Sequence, residues 1–178
     1  MGKFGWLLLI VAVVAAVIVG GCGGSDNGNG NGGSVTGTFN AAAWDGTWLG
    51  QWLNQTFSST GAASFSFTVN ESAKTIDVTW DMDGAVFGQA DPAPITMNLQ
   101  YDDTGINAQV NGTALGDLAF TVDADGNIEG SFTNVPNAAI AQVTFTGQRN
   151  GNTITLNYTV QFAGGGNPAT GSVTVNLQ

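Results

Sequence analysis

The chemistry open to this chain is set by a short inventory: one cysteine, Cys22, no histidine, three basic side chains and thirteen acidic ones. Without histidine or a second cysteine there can be no Ser-His or Cys-His nucleophile, no imidazole or multi-thiolate zinc site and no disulfide within the chain. The bases are Lys3, Lys74 and Arg149. No nucleophile and base pair can be assembled from this set, so no enzyme activity, no catalytic residue and no cofactor are expected. Two acidic runs, Asp81-Met82-Asp83-Gly84 and Asp123-Ala124-Asp125-Gly126, place hard oxygen ligands on alternate residues before a glycine, as calcium loops do. The twelfth loop position, which should be acidic, is Pro92 in one and Asn134 in the other. Aspartate and glycine are also what hairpin turns demand, so structural turns without metal are the expectation.

Charge narrows the partners. The formal net charge is -10, and clustered Lys and Arg are what phosphate backbones require, so nucleic acid is not an expected partner. Trp44, Trp48 and Trp52 recur every four residues. A helix would align them, but Gly46 and Gly50 make that helix costly, whereas a strand also puts them on one face. Such a row could be an aromatic platform for sugar or lipid. Core packing is the plainer role and the expected one.

These residues sit behind a distinctive N-terminus. Met1-Gly2-Lys3 carries one positive charge and Phe4 to Val19 is an uncharged apolar stretch, the pattern of a secretory signal. It ends in Val19-Gly20-Gly21-Cys22, which resembles the lipobox of bacterial lipoproteins. The resemblance implies cleavage before Cys22 and attachment of diacylglycerol to its thiol, with palmitate-type acyl chains holding the protein to a membrane. Residues 23–34, GGSDNGNGNGGS, have no apolar side chain to offset their ordering entropy and read as a flexible spacer. The expected organisation is therefore a signal peptide over 1–21, a lipidated Cys22 with its tether over 22–34, and one folded domain over 35–178. Gly23 follows the cysteine where an inner-membrane retention aspartate would stand. The expected location is the bacterial cell envelope, lipid-anchored, with the outer membrane preferred.

From Trp44 onward apolar and polar residues alternate in short runs, the strand period rather than the helix period. Phe65-x-Phe67-x-Val69, Ile76-x-Val78-x-Trp80-x-Met82, Ile95-x-Met97-x-Leu99-x-Tyr101 and Ile154-x-Leu156-x-Tyr158-x-Val160-x-Phe162 are the clearest runs. Turn signals separate them at Asn70–Ala73, Asp102–Gly105, Asp123–Gly126 and Asn150-Gly151. The fold class predicted is all-β, an antiparallel up-and-down meander of about ten strands closed or nearly closed into a barrel, with a two-sheet sandwich as the alternative. Residues 84–94, GAVFGQADPAP, break the rhythm and read as a long loop exposing Val86 and Phe87, either a mouth-covering flap or an irregular connection.

Gly46-Thr47-Trp48 at the start of the first strand resembles the Gly-x-Trp signature of lipocalins and their barrel relatives, among them fatty-acid-binding proteins. The resemblance implies a tryptophan packed across one barrel end, beneath a basic side chain from a late strand. The final strand, ending Asn176-Leu177-Gln178, has no arginine, and Arg149 lies at the hairpin before the penultimate strand. Two functions follow as expectations: a tethered barrel enclosing a small hydrophobic ligand among Phe65, Phe67, Trp80, Met97 and Tyr158, or a structural or interaction lipoprotein with a filled core. Interior volume divides them, since ligand cavities usually hold roughly 300 Å³ or more.

Overall fold

The computed structural model describes residues 37–178, so Cys22, the leader and the tether lie outside the described residues. Twelve strands follow a short 3-10 helix, Ala41–Trp44: β1 Gly46–Asn54, β2 Ser59–Asn70, β3 Thr75–Met82, β4 Ala85–Val86, β5 Gln89–Ala90 and β6 Ile95–Asp102, then β7 Gly105–Thr113, β8 Gly116–Asp123, β9 Asn127–Thr133, β10 Ile140–Asn150, β11 Thr153–Phe162 and β12 Ala169–Leu177. Ten of them form a closed antiparallel barrel in meander order, with β4 and β5 set apart as a small hairpin. Closure comes from β1, which pairs with β2 on one side (Trp48 opposite Phe65) and with β12 on the other (Trp48 opposite Leu177). The sandwich alternative is thereby overturned.

The strand period decides which face is inside. Along β11, Ile154, Leu156, Tyr158 and Val160 are buried while their Asn and Gln neighbours at 157 and 161 are exposed, and the other strands repeat the pattern. The described residues contain no buried charged or polar side chain, and only Leu49, Leu53 and Phe57 are large apolar residues left exposed. Reversal of the faces, as in a barrel that presents its apolar residues to lipid, is therefore not the arrangement seen.

Two elements differ from expectation. The first strand begins only at Gly46, so Trp44 belongs to the 3-10 helix and not to the face shared by Trp48 and Trp52. Gly46, at φ +116°, turns the chain from that helix into β1, a conformation that a side chain would resist. Residues 84–94 are not an exposing loop: they fold back as the β4–β5 hairpin, Val86 is 2% exposed, and Phe87 packs half-buried against the core. A chain that must cross an open apolar mouth gains more by burying Val86 and Phe87 than by wetting them.

One wall is weak. β6 and β7 pair only at Tyr101–Ile106 and Asp102–Gly105, so over Ile95–Gln100 that edge of β6 has no partner strand among the described residues.

Candidate functional site

The ten-strand barrel encloses two apolar chambers. The larger has a volume of about 70 Å³ and is lined by Phe65, Phe67, Trp80, Met97, Phe120 and Phe145 together with Trp44 and aliphatic residues. The smaller, about 20 Å³, lies toward the β4–β5 hairpin and is lined by Phe87, Phe132 and Tyr158 among others. Trp80, Phe145 and Leu156 line both and form the partition between them. Four of the five expected ligand residues, Phe65, Phe67, Trp80 and Met97, thus meet at the larger chamber, while Tyr158 belongs to the smaller one.

The partition is built from strand register. Phe65 on β2 lies opposite Trp80 on β3, and their rings meet edge to face at 5.4 Å and 82°. Across the interior Trp80 also meets Phe132 at 5.5 Å and Phe145 at 6.2 Å. Gly130 on β9 makes room for this contact, because a Cβ there would come within 2.4 Å of the Phe145 ring. The indole Nε1 of Trp80 is buried and has no hydrogen-bond partner. The surface that faces the larger chamber is carbon and the Met97 sulfur, with no nitrogen or oxygen exposed to it.

The floor is the Gly46–Trp48 end. Trp48 is fully buried and donates from Nε1 to the Trp44 carbonyl at 2.9 Å. The Arg149 guanidinium lies over both indoles, 5.5 Å from the Trp44 ring and 5.7 Å from the Trp48 ring. Its Nε is buried without an acceptor, and desolvation lowers its pKa from the ordinary arginine value. The stack supplies in cation–π attraction what no carboxylate supplies here, since the described ion pair is Lys74–Asp103 at 3.1 Å. The resemblance implies a basic side chain from a late strand, and β12 offers none; Arg149 reaches the same end from β10 instead, on the inward face with Val143 and Phe145. The Asn150-Gly151 turn, which joins β10 to β11, sets Arg149 at the end of β10.

The roof is the other end. Phe87 reaches into the smaller chamber and meets Tyr158 at 5.8 Å and Phe132 at 6.3 Å. Its backbone, at φ +50°, is strained for a non-glycine residue, at a cost of about 1 kcal/mol that the inserted ring offsets. Three polar contacts hold the hairpin: Asn137 Nδ2 donates to the Phe87 carbonyl at 3.0 Å, Gln89 Nε2 to the Ala114 carbonyl at 3.1 Å, and Trp52 Nε1 to the Asp83 carbonyl at 2.8 Å. Tyr158 donates to the Leu53 carbonyl at 3.1 Å, and burial pushes its phenol up to about 12.

The acidic turns serve themselves. Asp123 accepts from the backbone N–H of Asp125 and of Asn127, at 3.0 and 2.8 Å, which closes its own hairpin. In the other run, Asp83 contributes its carbonyl to Trp52.

No protein-family model matches the chain, and no curated protein does. Among solved structures, the crystal structure of Rv2717c from M. tuberculosis aligns with a TM-score of 0.56 at 11% identity, over 77% of this chain and 94% of that one. A redesigned β-barrel aligns with a TM-score of 0.39 at 16% identity, over 78% of this chain and 94% of the design. At 11% identity the likeness to the mycobacterial protein is one of barrel fold alone.

Proposed function

We propose that the protein is a lipid-anchored barrel of the bacterial envelope, tethered through Cys22, that takes a small hydrophobic molecule into its larger chamber. The observation that carries this reading is the chamber itself. An unfilled apolar volume of about 70 Å³ costs a fold about 2 kcal/mol, yet here it is ringed by half-buried Phe67, Trp80, Met97 and Phe120. Apolar cavities stay dry and accept apolar guests. The volume admits a few heavy atoms as it stands; a larger guest must move Met97 or lift Phe87, neither of which is fully buried.

The same number favours a second reading. About 70 Å³ lies well below the roughly 300 Å³ of ordinary ligand pockets, which suits a structural or interaction barrel whose core is nearly filled. Titration separates the two. On the full-length protein, a panel of fatty acids, sterols and neutral apolar molecules should include at least one that changes tryptophan emission saturably at one equivalent, and Trp80→Ala should weaken that binding with the fold intact. No saturable binding across the panel would leave the structural barrel. The anchor is tested apart from the ligand: Cys22→Ser should abolish incorporation of labelled fatty acid, and equal labelling of both proteins would overturn the lipoprotein reading.

A further inference from the structure

We propose that the barrel docks side-on against the phospholipid bilayer that holds its anchor, with Leu49, Leu53 and Phe57 entering the headgroup layer. This rests on the lipid-anchored reading above and goes beyond it by assigning the docking face.

Charge marks the face. The adjacent strands β11, β12, β1 and β2 contain no charged residue, and neither do the connections 55–58 and 163–168 that join them in pairs. The charged residues of the other strands run from Asp77 on β3 round the barrel to Arg149 on β10, and Asp45 lies ahead of β1 at the floor, the end opposite Phe57. One wall is therefore acidic and the facing wall neutral. An anionic bilayer repels the first and lets the second approach, so the field of the whole molecule turns β1 toward lipid.

The neutral wall also carries the large apolar residues that the rest of the exterior lacks. Leu49 and Leu53 are 45% and 40% exposed on β1, flanked by Ser64 and Thr60 of β2 and by Asn176 and Ser172 of β12. Phe57, in the turn to β2, is 65% exposed. That turn is not a loose end. The Gln55 N–H donates to the Thr170 carbonyl at 2.8 Å, the Thr170 N–H to Thr56 Oγ1 at 2.9 Å, and the Phe57 N–H to Asn54 Oδ1 at 3.0 Å. Phe162 supports the ring edge to face at 6.4 Å. At the same end of the barrel Phe87 folds its ring inward, whereas this turn is fastened to β12 and holds its ring out.

Three apolar side chains in a field of Ser, Thr and Asn are too sparse for the apolar centre of a stable protein interface. They suit lipid because the anchor already supplies attachment: a tethered barrel meets its bilayer at high effective concentration, and a weak second contact is enough to orient it. Residues 23–36 extend to at most about 50 Å, against about 30 Å for the nine residues of β1, so the tether does not dictate which side of the barrel meets the surface.

The test uses the acylated full-length protein on vesicles of phosphatidylethanolamine and phosphatidylglycerol, with and without bromine on the acyl chains near the headgroup. Trp44, Trp48 and Trp52 are buried and give a low background. Phe57→Trp adds a reporter on the docking face, and Thr121→Trp adds one at an exposed site of β8, which stands opposite β1 in the barrel order. Brominated lipid should quench the Phe57→Trp reporter about twofold and leave the Thr121→Trp reporter unchanged. Adding Leu49→Asp and Leu53→Asp to Phe57→Trp should restore the emission while incorporation of labelled fatty acid stays the same. Should that combined variant unfold, the contrast between the two single reporters still decides. Equal quenching of both reporters, quenching of neither, or quenching that survives the two aspartates, in protein that carries the fatty acid, would overturn the docking face and leave the anchor standing. A dimer in sedimentation that the aspartates dissolve would give the face to a second copy and overturn the proposal. Protein that takes up no labelled fatty acid would bring down the anchored reading and this inference with it.

Discussion

The two ends of the barrel close the same kind of apolar mouth by opposite means. At the Trp48 end the cover is anchored in the wall: Trp48 belongs to β1 and Arg149 to β10, while Trp44 of the 3-10 helix meets Phe39 at 6.3 Å and Phe39 meets Tyr101 of β6 at 5.9 Å. At the Phe87 end the cover is a two-residue-stranded hairpin inserted from outside the barrel order, with two non-glycine residues at positive φ, Phe87 and Asp91, and a few polar latches. A cover made of wall residues cannot open without unpairing strands. A cover made of an inserted hairpin can lift while every barrel strand stays paired, so access to the interior and stability of the barrel are assigned to different ends.

The largest effect should come from cutting into the first end. Trp48→Ala removes a fully buried indole and should cost about 3–5 kcal/mol in urea unfolding. Phe87→Ala, measured the same way, should cost about 2 kcal/mol or less, because the ring is only half-buried. Equal costs would break the contrast between wall and hairpin.

A smaller effect separates the ends by pH. Tyr158 stands beside Phe87 and its phenol is raised from 10.0 to about 12 by burial. Between those values the unfolded chain gives up its proton while the folded barrel keeps it. Stability is thus fully present below pH 10 and falls as pH rises toward about 12. Tyr158→Phe should remove that part of the alkaline slope and, by losing the bond to the Leu53 carbonyl, cost about 1 kcal/mol at neutral pH. An unchanged alkaline slope would mean that the phenol is reached by water at this end already.

The smallest effect on stability should be the most informative on motion. Asn137→Ala deletes the side-chain bond to the Phe87 carbonyl and should change global stability by about 1 kcal/mol or less. The backbone amides of Val86 and Asp91, which donate to the Gly84 carbonyl within the hairpin, should then exchange with deuterium several-fold faster, while those of β1 keep their rates. Uniform acceleration in both places would show that the hairpin opens only with the whole barrel.

What the residues disclosed and what they withheld follow from the range over which each signal acts. Alternation at Ile76–Met82 or Ile154–Phe162 and turn chemistry at Asp123–Gly126 are local, and they carry the ten-strand meander directly. The row of tryptophans is only half legible in the sequence, because spacing shows Gly46 as a helix breaker but does not show it as the turn between the 3-10 helix and β1. Val86 and Phe87 looked exposed because Gly and Pro around them mark a loop, and nothing local tells a loop that leaves the barrel from one that enters it. Arg149 over two indoles and the partnerless Trp80 N–H are products of register across strands far apart in sequence. Spacing along the chain does not encode them.

The closure of the barrel has a consequence in time as well as in space. Trp48 pairs with Leu177 across β1 and β12, so the contact that shuts the wall joins residues from the two extremes of the described chain. Loop-closure entropy makes that pairing among the last to form, and long-range strand pairing is slow. Until Ala169–Leu177 has been synthesised, β1 and β11 each present an open edge, rich in Thr and apolar residues, on which another copy could pair. The finished molecule hides this hazard by having no outer edge at that seam. A growing chain would carry it until β12 has emerged, which makes the nine residues of β12 the step that commits the fold.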